Sequence, residues 1–185
     1  KRKTCVFISG QGSNLKNLIF HSRDKNFPIK ISLVICNNKN ANGINYAKKF
    51  QIPYIIINTN LRNYENKILF NLKKYDIDFI CLAGYMKIIS SSFIKKYNKK
   101  IINIHPSLLP KFKGLNTLSR MLKNKERKAC CTVHYVNEKL DSGSTITQKS
   151  FFIDSKDNEL LLKKKTQMLE YQAFPEAIIK IFRNN

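Results

Sequence analysis

Short apolar runs alternate with helical patterns along the first hundred residues, and this order constrains the fold more than any other feature. The helical patterns carry apolar residues three or four positions apart, as in Leu15, Leu18 and Ile19. The apolar runs predict five strands, at 5–9, 31–36, 54–57, 79–83 and 101–104. Because strands that are apolar at nearly every position are buried on both faces, the order predicts a doubly wound α/β fold with a parallel sheet.

The second half of the chain has a looser pattern. It predicts two late strands, at 132–136 and 145–153, and a long final helix from Glu159 with a kink or break near Pro175. Further helices are predicted at 44–50, 64–74, 93–97 and 115–123. A length of 185 residues is that of one domain, so we expect a single domain over residues 1–185.

Charge and cysteine content exclude several classes of protein. The 34 Lys and Arg against 12 Asp and Glu give a net charge of +22, but these cations are spread along the chain and accompany no basic-aromatic motif. This spread favours a solvated surface over a nucleic-acid groove. The chain contains no run of about 18 apolar residues, so no membrane span is predicted. Five cysteines without a C-x-x-C pair predict buried free thiols in a reducing cytoplasm and no metal site.

A glycine-rich turn, Gly10 to Leu15, separates the first strand from the first helix. Backbone N–H groups at such a helix start can hold a phosphate, so the turn is a candidate phosphate site. It is not a dinucleotide fingerprint, because Leu15 stands at the third glycine position and Asn37 and Asn38 follow the second strand. The alternative is a purely structural turn capped by Ser13 or Asn14.

Asn103 and His105 are the clearest candidates for chemistry. They are two residues apart at the end of a buried strand, so their side chains point to the same face. An amide donor beside an imidazole can polarise a carbonyl and stabilise an oxyanion, and ligands of open α/β sheets bind at this end of the strands. The alternative is a structural histidine. His21 and His134, which have no partner nearby in sequence, are assigned to structure.

Asp141 lies in a turn between the two late strands, within Leu140-Asp141-Ser142-Gly143. An Asp in a turn commonly bonds the backbone two residues on. A carboxylate that faces His105 would instead favour the imidazolium form of that ring. Both interpretations stay open on the residues alone.

Taken together, four motifs resemble the phosphoribosylglycinamide formyltransferases, the folate-dependent enzymes of purine synthesis. They are 10–15, 83–89, 103–110 and 140–143, in family order, and the resemblance runs from Lys3 to Phe182. It implies a formyltransferase-type fold with a mixed, mostly parallel sheet flanked by helices. It also implies transfer of a formyl group from 10-formyltetrahydrofolate, a co-substrate, to the amine of glycinamide ribonucleotide, with no metal, nucleic-acid or membrane partner.

The same resemblance implies roles for individual residues. The catalytic residues would be Asn103, His105 and Asp141. The phosphate of the ribonucleotide would be held by Gly12, Ser13 and Asn14, and its ribose by Glu170. The folate would contact Asn103 together with Arg62, Met86, Lys87, Ile88 and Ile89. In the implied mechanism the amine attacks the formyl carbon, Asn103 and His105 stabilise the oxyanion, and Asp141 keeps His105 charged.

The sequence departs from the family pattern at three places. Lys87 replaces the commoner Arg, Ser144 replaces Pro, and the stretch 113–118 lacks the usual Pro and His-x-His pattern. We therefore expect a reduced activity with the catalytic residues in place.

Two related families share motifs with this sequence. Methionyl-tRNA formyltransferase carries an additional C-terminal domain and formyltetrahydrofolate hydrolase an additional N-terminal domain, neither of which we expect here. A basic nucleic-acid-binding module would leave Asn103, His105 and Asp141 without a role. Oligomeric state is not predicted.

Overall fold

Residues 1–183, the part of the chain that the computed structural model describes, form seven strands and six helices, which alternate except that the last two strands follow each other. The strands are β1 Arg2–Ile8, β2 Ile29–Cys36, β3 Tyr54–Ile56, β4 Phe79–Leu82, β5 Ile101–His105, β6 Lys128–Tyr135 and β7 Thr145–Phe152. The helices are α1 Ser13–Ser22, α2 Ile44–Lys49, α3 Tyr64–Lys74, α4 Ser91–Tyr97, α5 Thr117–Lys123 and α6 Glu159–Phe182.

The first of two compact units covers Lys1–Ile102. Its strands lie in the order β3-β2-β1-β4, followed by the first residues of β5. The pairs β1–β2, β1–β4 and β2–β3 are parallel, and Val6 of β1 is level with Val34 on one side and Cys81 on the other. Residues Thr4 to Ile8 are fully buried, which explains why these strands are apolar at nearly every position.

The second unit begins at Asn103 and contains the end of β5 followed by β6 and β7. Strands β6 and β7 pair antiparallel, so the seven strands make a mixed, mostly parallel set. Helix α6 packs on both of these strands. Met121, Ala129 and Leu162 form a small core there, against which Phe112 and Phe151 pack. The predicted fold class, a doubly wound and mostly parallel α/β fold, is confirmed, and the single-domain organisation stays a prediction.

Several predicted elements differ from the structure. Helix α6 continues through Pro175, so of the two predicted alternatives the break is wrong. Phe174, Ala177 and Ile178 are fully buried, and this packing holds the helix across a missing N–H. Helix α5 begins at Thr117, after Asn116 in a left-handed conformation. Strand β6 begins at Lys128, earlier than predicted. Among residues 1–183, no helix is both long and apolar enough to cross a membrane.

Candidate active site

Strand β5 places Asn103 and His105 on one face, at the end that leads into Pro106. The His105 side chain is buried, and Asn103 is half-buried. Alternation of side chains along a strand makes this shared face a direct consequence of their spacing. The structure therefore brings the first two predicted catalytic residues together.

Asp141 lies in the connection between β6 and β7, with its carboxylate beside both of these residues. Its Oδ2 atom is 3.6 Å from Nδ1 of His105, and its Oδ1 atom is 3.5 Å from Nδ2 of Asn103. The Asp141 side chain is only 6% exposed. The residue has a φ of 45°, a left-handed conformation that Asp tolerates better than most residues. Asp141 thus lies in a turn, as its place in the sequence indicates, while its carboxylate contacts Asn103 and His105.

The hydrogen bonds of His105 fix which edge of its ring faces the other groups. Nε2 lies 2.8 Å from the carbonyl oxygen of Phe112. A carbonyl can only accept a hydrogen bond, so Nε2 must carry a hydrogen and donate it. The Nδ1 edge then faces the carboxylate of Asp141. Any proton that His105 gives to a substrate in this geometry comes from Nδ1.

His134 of β6 belongs to the same cluster, although the sequence interpretation assigned it to structure. Its Nδ1 lies 2.8 Å from the carbonyl of Tyr135, so Nδ1 carries the hydrogen and Nε2 of the neutral ring accepts. Nδ2 of Asn103 lies 3.3 Å from that Nε2, and Oδ1 of Asp141 lies 3.7 Å from it. His134 therefore sets the orientation of the Asn103 amide. A titratable residue inside an otherwise apolar run was the only signal for it.

Burial is the main cause that lowers the pKa of His134 below its usual value of 6.5. The charges of His105 and Lys113 act in the same direction, whereas the Tyr135 carbonyl and Asp141 raise the pKa. His134 is consequently neutral at pH 7, as its role as an acceptor for Asn103 requires. Protonation would turn its Nε2 into a donor that faces another donor.

This shift predicts a pH dependence of stability. Below pH 6.5 the unfolded chain protonates His134 before the folded chain does, so the free energy of unfolding falls as the pH falls below 6.5 towards the lowered pKa. Urea unfolding at several pH values should show the parent losing up to about 1.4 kcal/mol per pH unit more than His134→Gln. His21→Gln, a change at an exposed histidine, serves as the control and should follow the parent. Equal pH dependence in the parent and His134→Gln would contradict the assignment.

The loop at 111–114 contributes backbone groups to the cluster. Besides the Phe112 carbonyl, the N–H of Gly114 donates to Oδ2 of Asp141 at 2.9 Å. Lys113 adds a side-chain contact from Nζ to the hydroxyl of Ser142. The stretch that departs from the family pattern is thus tied to the site through its backbone, which a sequence motif does not reveal.

Gly12 has a structural requirement of its own in the glycine-rich turn. Its φ is 71°, and a Cβ atom there would lie 2.5 Å from the Cα atom of Gly43. Gly12 also occupies the N-cap position of α1, so neither Ser13 nor Asn14, the capping residues of the purely structural alternative, stands there. The first turn of α1 contains no acidic residue. Its N–H groups and the positive end of the helix dipole suit an anion.

The residues with expected folate contacts lie after β4 and before α3. Met86 and Ile88 are 64% and 70% exposed, whereas Ile89 is buried. The Met86 N–H donates to the hydroxyl of Ser9 at 2.8 Å, which fixes the backbone beside these exposed apolar side chains. Arg62 lines an open cavity with Leu61, Asn63, Tyr64, Asn66 and Lys67. Exposed apolar side chains on a fixed backbone are typical of a binding surface.

Glu170, the expected ribose ligand, lies on α6 and is half-buried. Its negative charge adds to the burial that raises the pKa of Cys131, on β6, to about 12. The structure thus places the expected ligand residues on several different elements. The contacts described above join Asn103, His105 and Asp141, and add His134.

Comparison with known proteins gives a consistent result. The family model described as "Formyl transferase" matches residues 2–178. The chain is 38% identical over 184 residues to the trifunctional purine biosynthetic protein adenosine-3 of Homo sapiens. The matched region is 96% of this chain but only 18% of that protein. It is also 38% identical over 187 residues to phosphoribosylglycinamide formyltransferase of Haemophilus influenzae, covering 98% of this chain and 87% of that one.

Solved structures agree with these relatives. The phosphoribosylglycinamide formyltransferase of Anaplasma phagocytophilum superposes with a TM-score of 0.91 at 36% identity, over 96% of this chain and 85% of that one. That of Brucella melitensis superposes with a TM-score of 0.91 at 35% identity, over 98% and 96% of the two chains. The resemblance predicted from the four motifs is confirmed.

Proposed function

Because the chain belongs to the formyl transferase family, within its phosphoribosylglycinamide formyltransferase branch, we propose that it formylates the amine of glycinamide ribonucleotide with 10-formyltetrahydrofolate. Membership of the family makes it a transferase of purine biosynthesis. The two named substrates and the roles of single residues are the proposed part. One observation supports them most: a buried carboxylate, that of Asp141, lies beside both Asn103 and the Nδ1 edge of His105.

The mechanism follows from these donors. The amine attacks the formyl carbon, and the electron pair of the C=O bond moves to oxygen. Nδ1–H of His105 and an N–H of Asn103 are the donors for this oxyanion. Asp141 stabilises the imidazolium and accepts the proton that the amine loses, directly or through water. Collapse of the intermediate re-forms the C=O bond and breaks the bond to the folate nitrogen, which leaves with the electron pair and takes up the proton that Asp141 had accepted, directly or through water. The attack is direct, so the proposal includes neither a metal nor a covalent enzyme intermediate.

Asn103 has one N–H that it can redirect to substrate. Its first N–H is committed to His134 at 3.3 Å, whereas the second reaches Asp141 only at 3.5 Å. Contacts of that length are weak and easily exchanged. The second N–H is therefore the one that we assign to the oxyanion.

The proposal also assigns the residues that bind the two substrates. Gly12, Ser13 and Asn14 hold the phosphate at the start of α1, and Glu170 binds the ribose. Met86, Lys87, Ile88 and Ile89 contact the folate, with Arg62 and Asn103 on the same ligand. Helix N–H groups suit the phosphate, and the exposed Met86 and Ile88 suit a large apolar ring system. We place the protein in the cytoplasm as a Rossmann-like enzyme, and regard its positive surface as solvated and not as a nucleic-acid site.

A competition between acceptors tests the proposal. The protein is mixed with 10-formyltetrahydrofolate and, in separate reactions, with glycinamide ribonucleotide, initiator methionyl-tRNA or water alone. We expect release of tetrahydrofolate with the ribonucleotide at least about 100-fold faster than with the other two, because only its amine reaches the site. Faster release with tRNA or water would indicate a tRNA formyltransferase or a hydrolase. His105→Gln, assayed in parallel, reports the background of spontaneous hydrolysis.

A further inference from the structure

Arg120 of helix α5 contacts the loop at 111–114, whose backbone touches His105 and Asp141. Its Nη2 donates to the carbonyl of Lys113 at 2.6 Å. Its guanidinium carbon lies 5.6 Å from the centre of the Phe112 ring, so the planar group also lies over an aromatic face. One side chain thus holds two consecutive residues of the loop.

The loop needs such support because its conformation is unfavourable in isolation. Phe112 has a φ of 55°, a left-handed conformation that non-glycine residues rarely adopt. That conformation directs the Phe112 carbonyl to Nε2 of His105. Two residues later, the Gly114 N–H donates to Asp141. Lys113, whose carbonyl Arg120 binds, lies between these two contacts.

The contacts of Arg120 require a guanidinium group specifically. Within the described chain its Nε is buried and has no hydrogen-bond partner, so the group gives up hydration to lie against the loop. A lysine could donate to the same carbonyl, but it has no plane to lie over the Phe112 ring. A surface arginine held only by charge would show neither the ring contact nor the buried Nε.

We propose that Arg120 is a positioning residue for the reaction. Through the loop at 111–114 it holds the Phe112 carbonyl, which turns His105 so that Nδ1 faces Asp141. It also holds the Gly114 N–H, which orients the Asp141 carboxylate. Arg120 touches neither substrate nor the reacting atoms in this role. The kinetic part of the inference rests on the proposed function, whereas its structural part does not.

The experiment compares Arg120→Met with Arg127→Met, a matched removal of an exposed arginine from the same unit. We expect kcat of Arg120→Met to fall about tenfold to 100-fold, as small misplacements of catalytic groups do. KM for each substrate should stay within about threefold, because the loop binds neither. Arg120→Lys should restore kcat only in part. Arg127→Met should match the parent.

The imidazole signals in NMR spectra give a measurement that does not depend on activity. The chain has three histidines, so the ring signals of His105 are assigned by their loss in His105→Gln. In Arg120→Met, the Nε2–H signal of His105 should shift or exchange faster with water, and in Arg127→Met it should not. Should Arg120→Met fail to fold, the same signal is measured in Arg120→Lys.

An unchanged His105 signal in a folded Arg120 variant would overturn the inference. So would equal losses of kcat in the Arg120 and Arg127 variants. If the parent does not formylate glycinamide ribonucleotide, the proposed function fails, but the His105 signal still decides whether Arg120 orients the ring.

Discussion

Replacing Asp141 by Asn is expected to lower kcat by about 10²–10⁴-fold, the usual loss when positioned acid–base help is removed. Asn has the same shape, tolerates the left-handed φ of 45° and can still accept a hydrogen bond from the Gly114 N–H. It carries no charge, so the imidazolium of His105 loses its counter-charge at 3.6 Å. Steady-state kinetics across pH should therefore show a lower plateau and a changed acidic limb, with both substrates still bound.

The matched control for Asp141→Asn is Glu138→Gln. Glu138 lies in the same connection between β6 and β7, is exposed, and loses the same charge. The kcat of Glu138→Gln should stay close to that of the parent. If Asp141→Asn retained turnover within about threefold of the parent and an unchanged pH profile, Asp141 would be a turn former only.

Gly143→Ala is expected to abolish most activity and to destabilise the fold, although it adds a single methyl group. A Cβ atom at Gly143 would lie 1.7 Å from the carbonyl oxygen of Tyr135 and 2.6 Å from its carbon, which are backbone atoms that cannot rotate away. The connection must move, and it carries Asp141 two residues earlier. We expect kcat to fall by at least about 100-fold. The free energy of unfolding should fall by about 1–3 kcal/mol, as is typical of overpacking.

Ser144→Ala controls for a change in the same connection. Ser144 is exposed, and only its backbone carbonyl takes part in the hydrogen bond from the Tyr135 N–H. Urea unfolding and kinetics of this variant should match the parent. Normal turnover in Gly143→Ala would show that the connection can shift without displacing the Asp141 carboxylate from His105.

Local patterns predicted the elements well where sequence periodicity and burial agree. Helix α3 has the predicted bounds, Tyr64–Lys74, because Ile68 and Leu72 form its one buried stripe between polar turns. Strand β5 and the shared face of Asn103 and His105 follow from the alternation of side chains. Helix α6 does not break at Pro175, because the intrinsic cost of a proline in a helix is outweighed by the burial of its neighbours.

The contacts that complete the site could not be predicted in this way. The bond from His105 to the Phe112 carbonyl and the bond from Gly114 to Asp141 use backbone atoms, which every residue type has. The role of His134 depends on the register of β6 beside β5 and on the direction of one ring hydrogen. Such information arises only when the strands are in place, so a single sequence predicts which candidate residues share a face better than the groups that support them.

The burial of all five cysteines has a practical consequence for experiments on this protein. Cys5, Cys36, Cys81, Cys130 and Cys131 are free thiols, and burial is the main cause that raises the pKa of each one. Thiolates are the form that reacts with maleimides, so the native chain offers these reagents almost nothing to modify while it stays folded. One cysteine introduced at an exposed position would therefore take a fluorophore or spin label selectively, without prior removal of the natural cysteines.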